Sequence, residues 1–251
     1  DLTLPQIVVE DTMQALTSYA AWHRRQFHPT VIAVTGSCGK TTTRALMENI
    51  FSQAGVVMAT KGNLNNEIGV PLMLLQLTEK HEFLIVELGA SHQGEIASLA
   101  ELVQPHVGVI TNAAAAHIEG FGSIADVAKA KGELFEALDA TGMAVINADD
   151  DYYGYWRDVA QNRFISFGSN KKADVRPQLI PSSISCFFLS LPGEESIQVN
   201  LKLLGKHNIM NALAAAAVGH SLGVSLKKIK RGLEMTEPVS GRLVAKSGQQ
   251  G

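Results

Sequence analysis

The segment Val31-Ile32-Ala33-Val34-Thr35-Gly36-Ser37-Cys38-Gly39-Lys40-Thr41-Thr42-Thr43 runs an apolar strand into a glycine-bearing turn, then into a helix opening with Arg44-Ala45-Leu46-Met47. This is the pattern of a phosphate cradle. Glycines let backbone N–H groups approach triphosphate oxygens, a lysine supplies positive charge at the β/γ end, and a hydroxyl can join the coordination of Mg²⁺. Lys40 and Thr41 stand where those two groups are needed, so the chain is expected to bind ATP. Gly36, Ser37, Cys38, Gly39, Lys40, Thr41 and Thr42 are the candidate contacts. The general pattern has four residues between its glycines, whereas only Ser37 and Cys38 separate Gly36 from Gly39. A string this short also occurs in ordinary strand–turn–helix connections, and the strand before it and the helical pattern after it are what favour phosphate. Nothing in the sequence pairs Cys38 with a base, so it reads as a small loop residue rather than a nucleophile.

Short apolar runs recur after this segment at Phe83–Val86, Val107–Ile110 and Met143–Ile146, separated by helical patterns over Glu95–Leu102 and Ala125–Leu138. Strands alternating with helices predict an α/β fold, a doubly wound, mostly parallel sheet covered on both faces. In such sheets ligands sit at the carboxyl ends of the strands, so the residues just after each run are the ones to inspect. From about Lys172 the texture changes. Val175–Ile180, Ile184–Leu191 and Ile197–Leu204 are strand-like and separated by turn residues, which predicts a small antiparallel subsheet. His207–Leu222 and Ser225–Leu233 then read as helices, the alanine-rich first one packed tightly in the core. Asp1–Val9 has the composition of a closing strand, Asp11-Thr12 is a plausible N-cap for a helix through Trp22, and Leu243-Val244-Ala245 resembles the start of another strand.

With 251 residues, 46% of them hydrophobic and 18% charged, the chain can bury a large core. Its net charge of −3 leaves no electrostatic footprint for nucleic acid. No apolar run approaches the roughly 20 residues that cross a bilayer, so membrane insertion is not expected. Two cysteines, Cys38 and Cys186, are too few for a disulfide framework, which suits a reducing cytoplasm.

Three further residues could carry chemistry. Glu87 ends the run Phe83–Val86, where a carboxylate could supply an oxygen to Mg²⁺ or simply pair with a helix. His117 follows the loop after Val107–Ile110, and Lys131 lies on the helix Ala125–Leu138, fourteen positions after that histidine. A lone histidine is most often structural and a helical lysine most often solvated, so only their combination with the phosphate loop is informative.

That combination resembles the Mur ligase family, the ATP-dependent enzymes that add amino acids to the peptidoglycan precursor stem; folylpolyglutamate synthase shares the central fold. The strings Gly62-Asn63-Leu64-Asn65-Asn66-Glu67-Ile68-Gly69-Val70-Pro71, Glu87-Leu88-Gly89-Ala90-Ser91-His92-Gln93-Gly94-Glu95-Ile96 and Ala116-His117-Ile118-Glu119-Gly120-Phe121-Gly122-Ser123 carry the resemblance, which extends to Arg242. They look like the member that joins D-Ala-D-Ala to UDP-MurNAc-tripeptide. The resemblance implies that Lys131, rather than Lys129, is carbamylated by CO₂ and helps His117 and Glu87 hold a second Mg²⁺, beside the one that the Thr41 hydroxyl can join. It also implies that Asn208 and Asn211 contact adenine and ribose, that Arg242 reaches the γ-phosphate, and that Lys40, Lys131, His117 and Arg242 form the catalytic set. Helix capping is the plainer role for Asn208. Residues 1–28 resemble the exit from an N-terminal domain, 29–237 the central ATP-binding domain and 238–251 the entry to a C-terminal one, so the chain is expected to be a monomeric central domain. Another ligase of the superfamily, or a nucleotide-binding module without chemistry, is the alternative.

Overall fold

The computed structural model describes residues 5–115, 118–161, 163–180 and 183–238. In chain order the elements are α1 (Thr12–Arg24), β1 (Thr30–Thr35), α2 (Lys40–Phe51), β2 (Val57–Ala59), α3 (Gly69–Leu74), β3 (Phe83–Glu87), α4 (Glu95–Val103), β4 (Val107–Ile110), α5 (Ile118–Phe121), α6 (Ile124–Glu136), β5 (Met143–Asn147), α7 (Tyr153–Val159), β6 (Phe164–Phe167), β7 (Arg176–Leu179), β8 (Cys186–Ser190), β9 (Ile197–Asn200), α8 (Lys206–Ser221) and α9 (Leu226–Met235). The first six strands form one sheet in the order β2-β3-β1-β4-β5-β6, and β7-β8-β9 form a second. Every pairing in the large sheet is parallel and both in the small one are antiparallel, as the sequence texture predicts.

Alternation along the buried strands divides the core into two layers. Ile32, Val34, Val107, Val109 and Val145 face one cluster with Leu46 and Ile50 of α2, the alanines of α8, and Phe187, Leu189 and Val199 of the small sheet. Val31, Ala33, Leu84, Val86, Ile110 and Ile146 face the other, with Met73, Ile96, Leu99, Leu134 and Trp156. Trp156 is fully buried, and its indole N–H is satisfied by the Ala128 carbonyl at 2.9 Å. The alanine-rich run is the core helix expected: Ala212 through Val218 are all inaccessible to solvent. Among the described residues no helix is long and apolar enough to cross a membrane.

Some local expectations change. Asp11 caps α1 by accepting from the Met13 and Gln14 N–H groups, as its sequence position suggests. Of the expected Asp1–Val9 strand, residues 5–9 are in no strand, and Ile7 and Val8 are 92% and 93% exposed; the first four residues lie outside the described residues. Branched apolar residues favour extended backbone, but composition does not say which edge such a segment joins. The subsheet's first strand begins at Arg176 because Val175 instead makes a parallel bridge to Phe167. Leu243-Val244-Ala245 lies outside the described residues.

α2 sets the position of the phosphate loop, because Leu46, Met47, Ile50 and Phe51 are fully buried and each such side chain contributes about 1.5–3 kcal/mol. α9 approaches it so closely that a Cβ at Gly232 would overlap the Ile50 backbone. Gly232→Ala should therefore force the two helices apart and destabilise the fold by about 1–3 kcal/mol, measured by urea unfolding.

Candidate functional site

β1 lies at the centre of the large sheet, with β3 on one side and β4 on the other. Chain direction makes the consequence specific. Val34 is level with Glu87 and Thr35 with Ile110, so the phosphate loop leaves β1 flanked by Glu87 and by Thr111, the residue after β4. The carboxyl-end rule for parallel sheets thus selects this corner of the molecule.

Both glycines of the loop meet a polar side chain. Gly36 has φ +147°, and a Cβ there would overlap Thr111 Oγ1; Gly39, at φ +87°, would overlap Asn211 Oδ1. The loop is held between these neighbours. Asn112 accepts from the Ser37 N–H through its carbonyl at 3.0 Å, and its side chain accepts from the Cys38 N–H at 3.0 Å and donates to the Cys38 carbonyl at 3.1 Å. Thr111 Oγ1 donates to the same carbonyl at 2.6 Å, and the Ser37 hydroxyl exchanges bonds with the Ala114 backbone. No side chain caps the N-terminus of α2, so its dipole end opens toward the loop. Lys40 Nζ donates to the Gly36 carbonyl at 2.7 Å, crossing the turn from within.

Beside the loop opens a cleft of about 370 Å³. Its polar lining includes Cys38, Thr42, Thr111, Asn112, Asn147, Asn208 and Asn211; Phe167, Leu203, Met210, Ala214 and Pro238 form its apolar part. A flat apolar wall next to polar groups and helix-terminal amides suits a nucleoside phosphate. Asn208 does not cap α8: Gly205 occupies that position, and Asn208 donates back to the Leu204 carbonyl at 2.8 Å while accepting from Asn211 at 3.1 Å. Thr111, Asn112 and Asn147 are not among the residues that the sequence pattern singles out, although Thr111 and Asn147 stand at the ends of apolar runs where the carboxyl-end rule directs attention. Asn147 donates to the Thr111 carbonyl at 2.8 Å and so braces the loop from β5.

Glu87 is 3% exposed. Its Oε1 accepts from Asn65 Nδ2 at 3.0 Å, which gives the Gly62–Pro71 string a structural role, while Oε2 is buried with no hydrogen-bond partner among the described residues. A buried carboxylate oxygen left so is costly unless another group meets it. Lys131 is 4% exposed on the inner face of α6 and has no hydrogen bond or ion pair with any described residue, whereas Lys129, two positions earlier, points to solvent and pairs with Asp126 at 3.5 Å. Burial lowers the Lys131 pKa to about 8; the charge of Lys40 pushes the same way, and Cys38 opposes it. The interior placement was readable from Val127 and Leu134, which share its helix face. His117 and Arg242 lie outside the described residues. Among the described residues no cluster of three His, Cys, Asp or Glu side chains could hold a metal ion.

Fold and site together define a doubly wound α/β domain with a glycine-bearing β1–α2 turn at the carboxyl end of its central strand. The chain belongs to the Mur ligase family: the model of the Mur ligase middle domain matches residues 34–219. It is 43% identical over 246 residues to UDP-N-acetylmuramoyl-tripeptide--D-alanyl-D-alanine ligase of Haemophilus influenzae, covering 96% of this chain and 54% of that protein. To the Escherichia coli enzyme of the same name it is 45% identical over 247 residues, covering 97% and 54%. Among solved structures, MurF from Acinetobacter baumannii superposes with a TM-score of 0.93 at 38% identity, over 100% of this chain and 55% of that one. MurF ligase from Thermotoga maritima in complex with ADP superposes at 0.83 with 25% identity, over 99% and 58%. The chain spans about half the length of the curated relatives it matches.

The depressed Lys131 pKa has a consequence for stability. Between about pH 8 and the ordinary lysine value of 10.5, the unfolded chain binds the proton that the folded chain has released, so stability rises with pH across that window. In CO₂-depleted buffer, Lys131→Met should be more stable than wild type below pH 8 and lose that advantage as the pH approaches 10.5, as followed by thermal unfolding.

Proposed function

We propose that this chain is the nucleotide-binding part of an ATP-dependent amide ligase that joins D-Ala-D-Ala to UDP-MurNAc-tripeptide in peptidoglycan precursor synthesis. Residues 29–237 would be its central domain, with 1–28 leading in and 238–251 leading out. The observation that carries the reading beyond ATP binding is Lys131, a buried cation with no ion pair among the described residues and under the influence of the Lys40 charge. A module that only binds nucleotide gains nothing from a lysine so costly to bury.

The chemistry of these residues fits Mg²⁺. With a pKa of about 8, roughly a quarter of the Lys131 side chain is neutral amine near pH 7.5, against about a thousandth at the ordinary value. The neutral amine can attack CO₂; the N–C bond forms, the amine proton leaves to solvent, and a cation becomes an anion. The resulting carbamate, the Glu87 Oε2 atom and His117 would hold one Mg²⁺, and the Thr41 hydroxyl would join the coordination of another; Mg²⁺ is a hard ion that prefers oxygen. When bound, it would neutralise charge on the phosphoryl oxygens. Lys40, released from the Gly36 carbonyl, and the N–H groups at the start of α2 would hold the phosphates, Asn208 and Asn211 the nucleoside, and Arg242 the γ-phosphate. The precursor carboxylate attacks the γ-phosphorus with ADP leaving, and the dipeptide amine then displaces phosphate from the acyl phosphate. Positioning and electrostatics do this work, and no protein nucleophile is required.

The 251-residue chain by itself should give no phosphate release dependent on both the precursor and D-Ala-D-Ala; such turnover would refute the domain reading. In the longer protein Lys40→Ala should slow phosphoryl transfer by roughly 10²–10³, with Cys38→Ser within a few-fold. Lys131→Ala should lose most activity and regain part of it with a small carboxylic acid in the buffer, whereas Lys129→Ala should be mild. The opposite ranking of the two lysines in a steady-state assay would overturn the carbamate assignment.

A further inference from the structure

Among the hydrogen bonds of the phosphate loop, those on the Cys38 peptide stand out because one side chain engages both of its polar ends. Asn112 Oδ1 accepts from the Cys38 N–H at 3.0 Å and Asn112 Nδ2 donates to the Cys38 carbonyl at 3.1 Å. The amide orientation is fixed, since a backbone N–H can only donate and a carbonyl can only accept. The second lone pair of that carbonyl is taken by Thr111 Oγ1 at 2.6 Å, and the Asn112 backbone carbonyl holds the Ser37 N–H at 3.0 Å. The clamp is itself anchored: Asn147 donates to the Thr111 carbonyl at 2.8 Å, and Asp150 accepts from the Ala113 N–H at 2.8 Å.

We propose that Asn112 is a positioning residue for the phosphates of the nucleotide, acting through the Cys38 peptide with Thr111 as its partner. The inference rests on the nucleotide reading above. The loop is two residues shorter than the general Gly-x-x-x-x-Gly-Lys-Thr form, and rigidity that a longer loop finds within itself comes here from the end of β4. Holding the Cys38 carbonyl with two donors fixes an oxygen dipole that would repel a polyphosphate if it swung toward it. The Cys38 N–H is engaged by Asn112, which leaves phosphate recognition to the amides beyond Gly39, at the N-terminus of α2. Although Thr111 and Asn112 also border the cleft, the bonds of the clamp end on the phosphate loop and not on the apolar part of the cleft, so they act on the phosphates first.

The test is isothermal titration calorimetry of the chain with MgADP and, separately, with adenosine. Asn112→Ala should weaken MgADP by roughly ten- to thirtyfold, the loss of two hydrogen bonds, and leave adenosine within about twofold. Asn112→Asp should be worse than alanine for MgADP, because the carboxylate keeps the acceptor but loses the donor and brings negative charge to the phosphates. A residue that merely supported the fold would give the reverse: near-isosteric aspartate milder than alanine, and both ligands weakened together. If either Asn112 variant fails to fold by circular dichroism, Thr111→Val should weaken MgADP by about fivefold while Thr111→Ser restores it, again with adenosine unaffected. Unchanged MgADP affinity in the folded variants would overturn the clamp alone. A wild-type chain that binds neither ligand would overturn the nucleotide reading and the clamp with it.

Discussion

The seating of the β1–α2 turn between two neighbouring strands is the constraint on which the site depends. Because β1 is central and parallel to both β3 and β4, its carboxyl end meets Glu87 on one side and Thr111 on the other with no freedom to choose. The close approaches at Gly36 and Gly39 follow from that seating. Glycine serves two purposes here, admitting a ligand to the backbone and admitting Thr111 and Asn211 to the loop. α2, buried along one side, converts this local arrangement into a fixed direction for its dipole.

The site also stores unbalanced electrostatics. The charge of half-buried Lys40 acts on buried Lys131, and one buried Glu87 oxygen has no hydrogen-bond partner among the described residues. Left as they are, both are costs to the folded state. The same economy explains why Lys129, exposed and paired with Asp126, carries no comparable tension although it lies on the same helix.

The alternation of apolar runs with helical patterns, the glycine turn and the N-cap at Asp11 act over a few residues, so they are visible in the chain itself. β2 and β6, three and four residues long, and the short helices α3 and α7 leave too weak a period to detect and were not anticipated. The part of the expected Asp1–Val9 strand that is described, 5–9, is not in a strand for a complementary reason, since composition reports a preference for extended backbone but not what it pairs with. Thr111, Asn112 and Asn147 were hidden in plain residues, because a threonine or asparagine acquires meaning only from what lies opposite it.

The sequence by itself therefore determined the fold class, the glycine turn between β1 and α2 and, through its resemblance to the Mur ligases, the family to which the chain belongs. Spacing alone could bring Glu87 and Lys131 forward as candidates, but each had a plainer reading as a structural acid or a solvated lysine. Tertiary structure supplied placements that no spacing contains: Lys131 is buried while Lys129 stays in water, one Glu87 oxygen has no hydrogen-bond partner among the described residues, and Asn112 closes on the Cys38 backbone. The physical reason is range: backbone propensity is local, whereas desolvation and hydrogen-bond satisfaction depend on groups that the chain brings together from 74 positions away, as between Cys38 and Asn112.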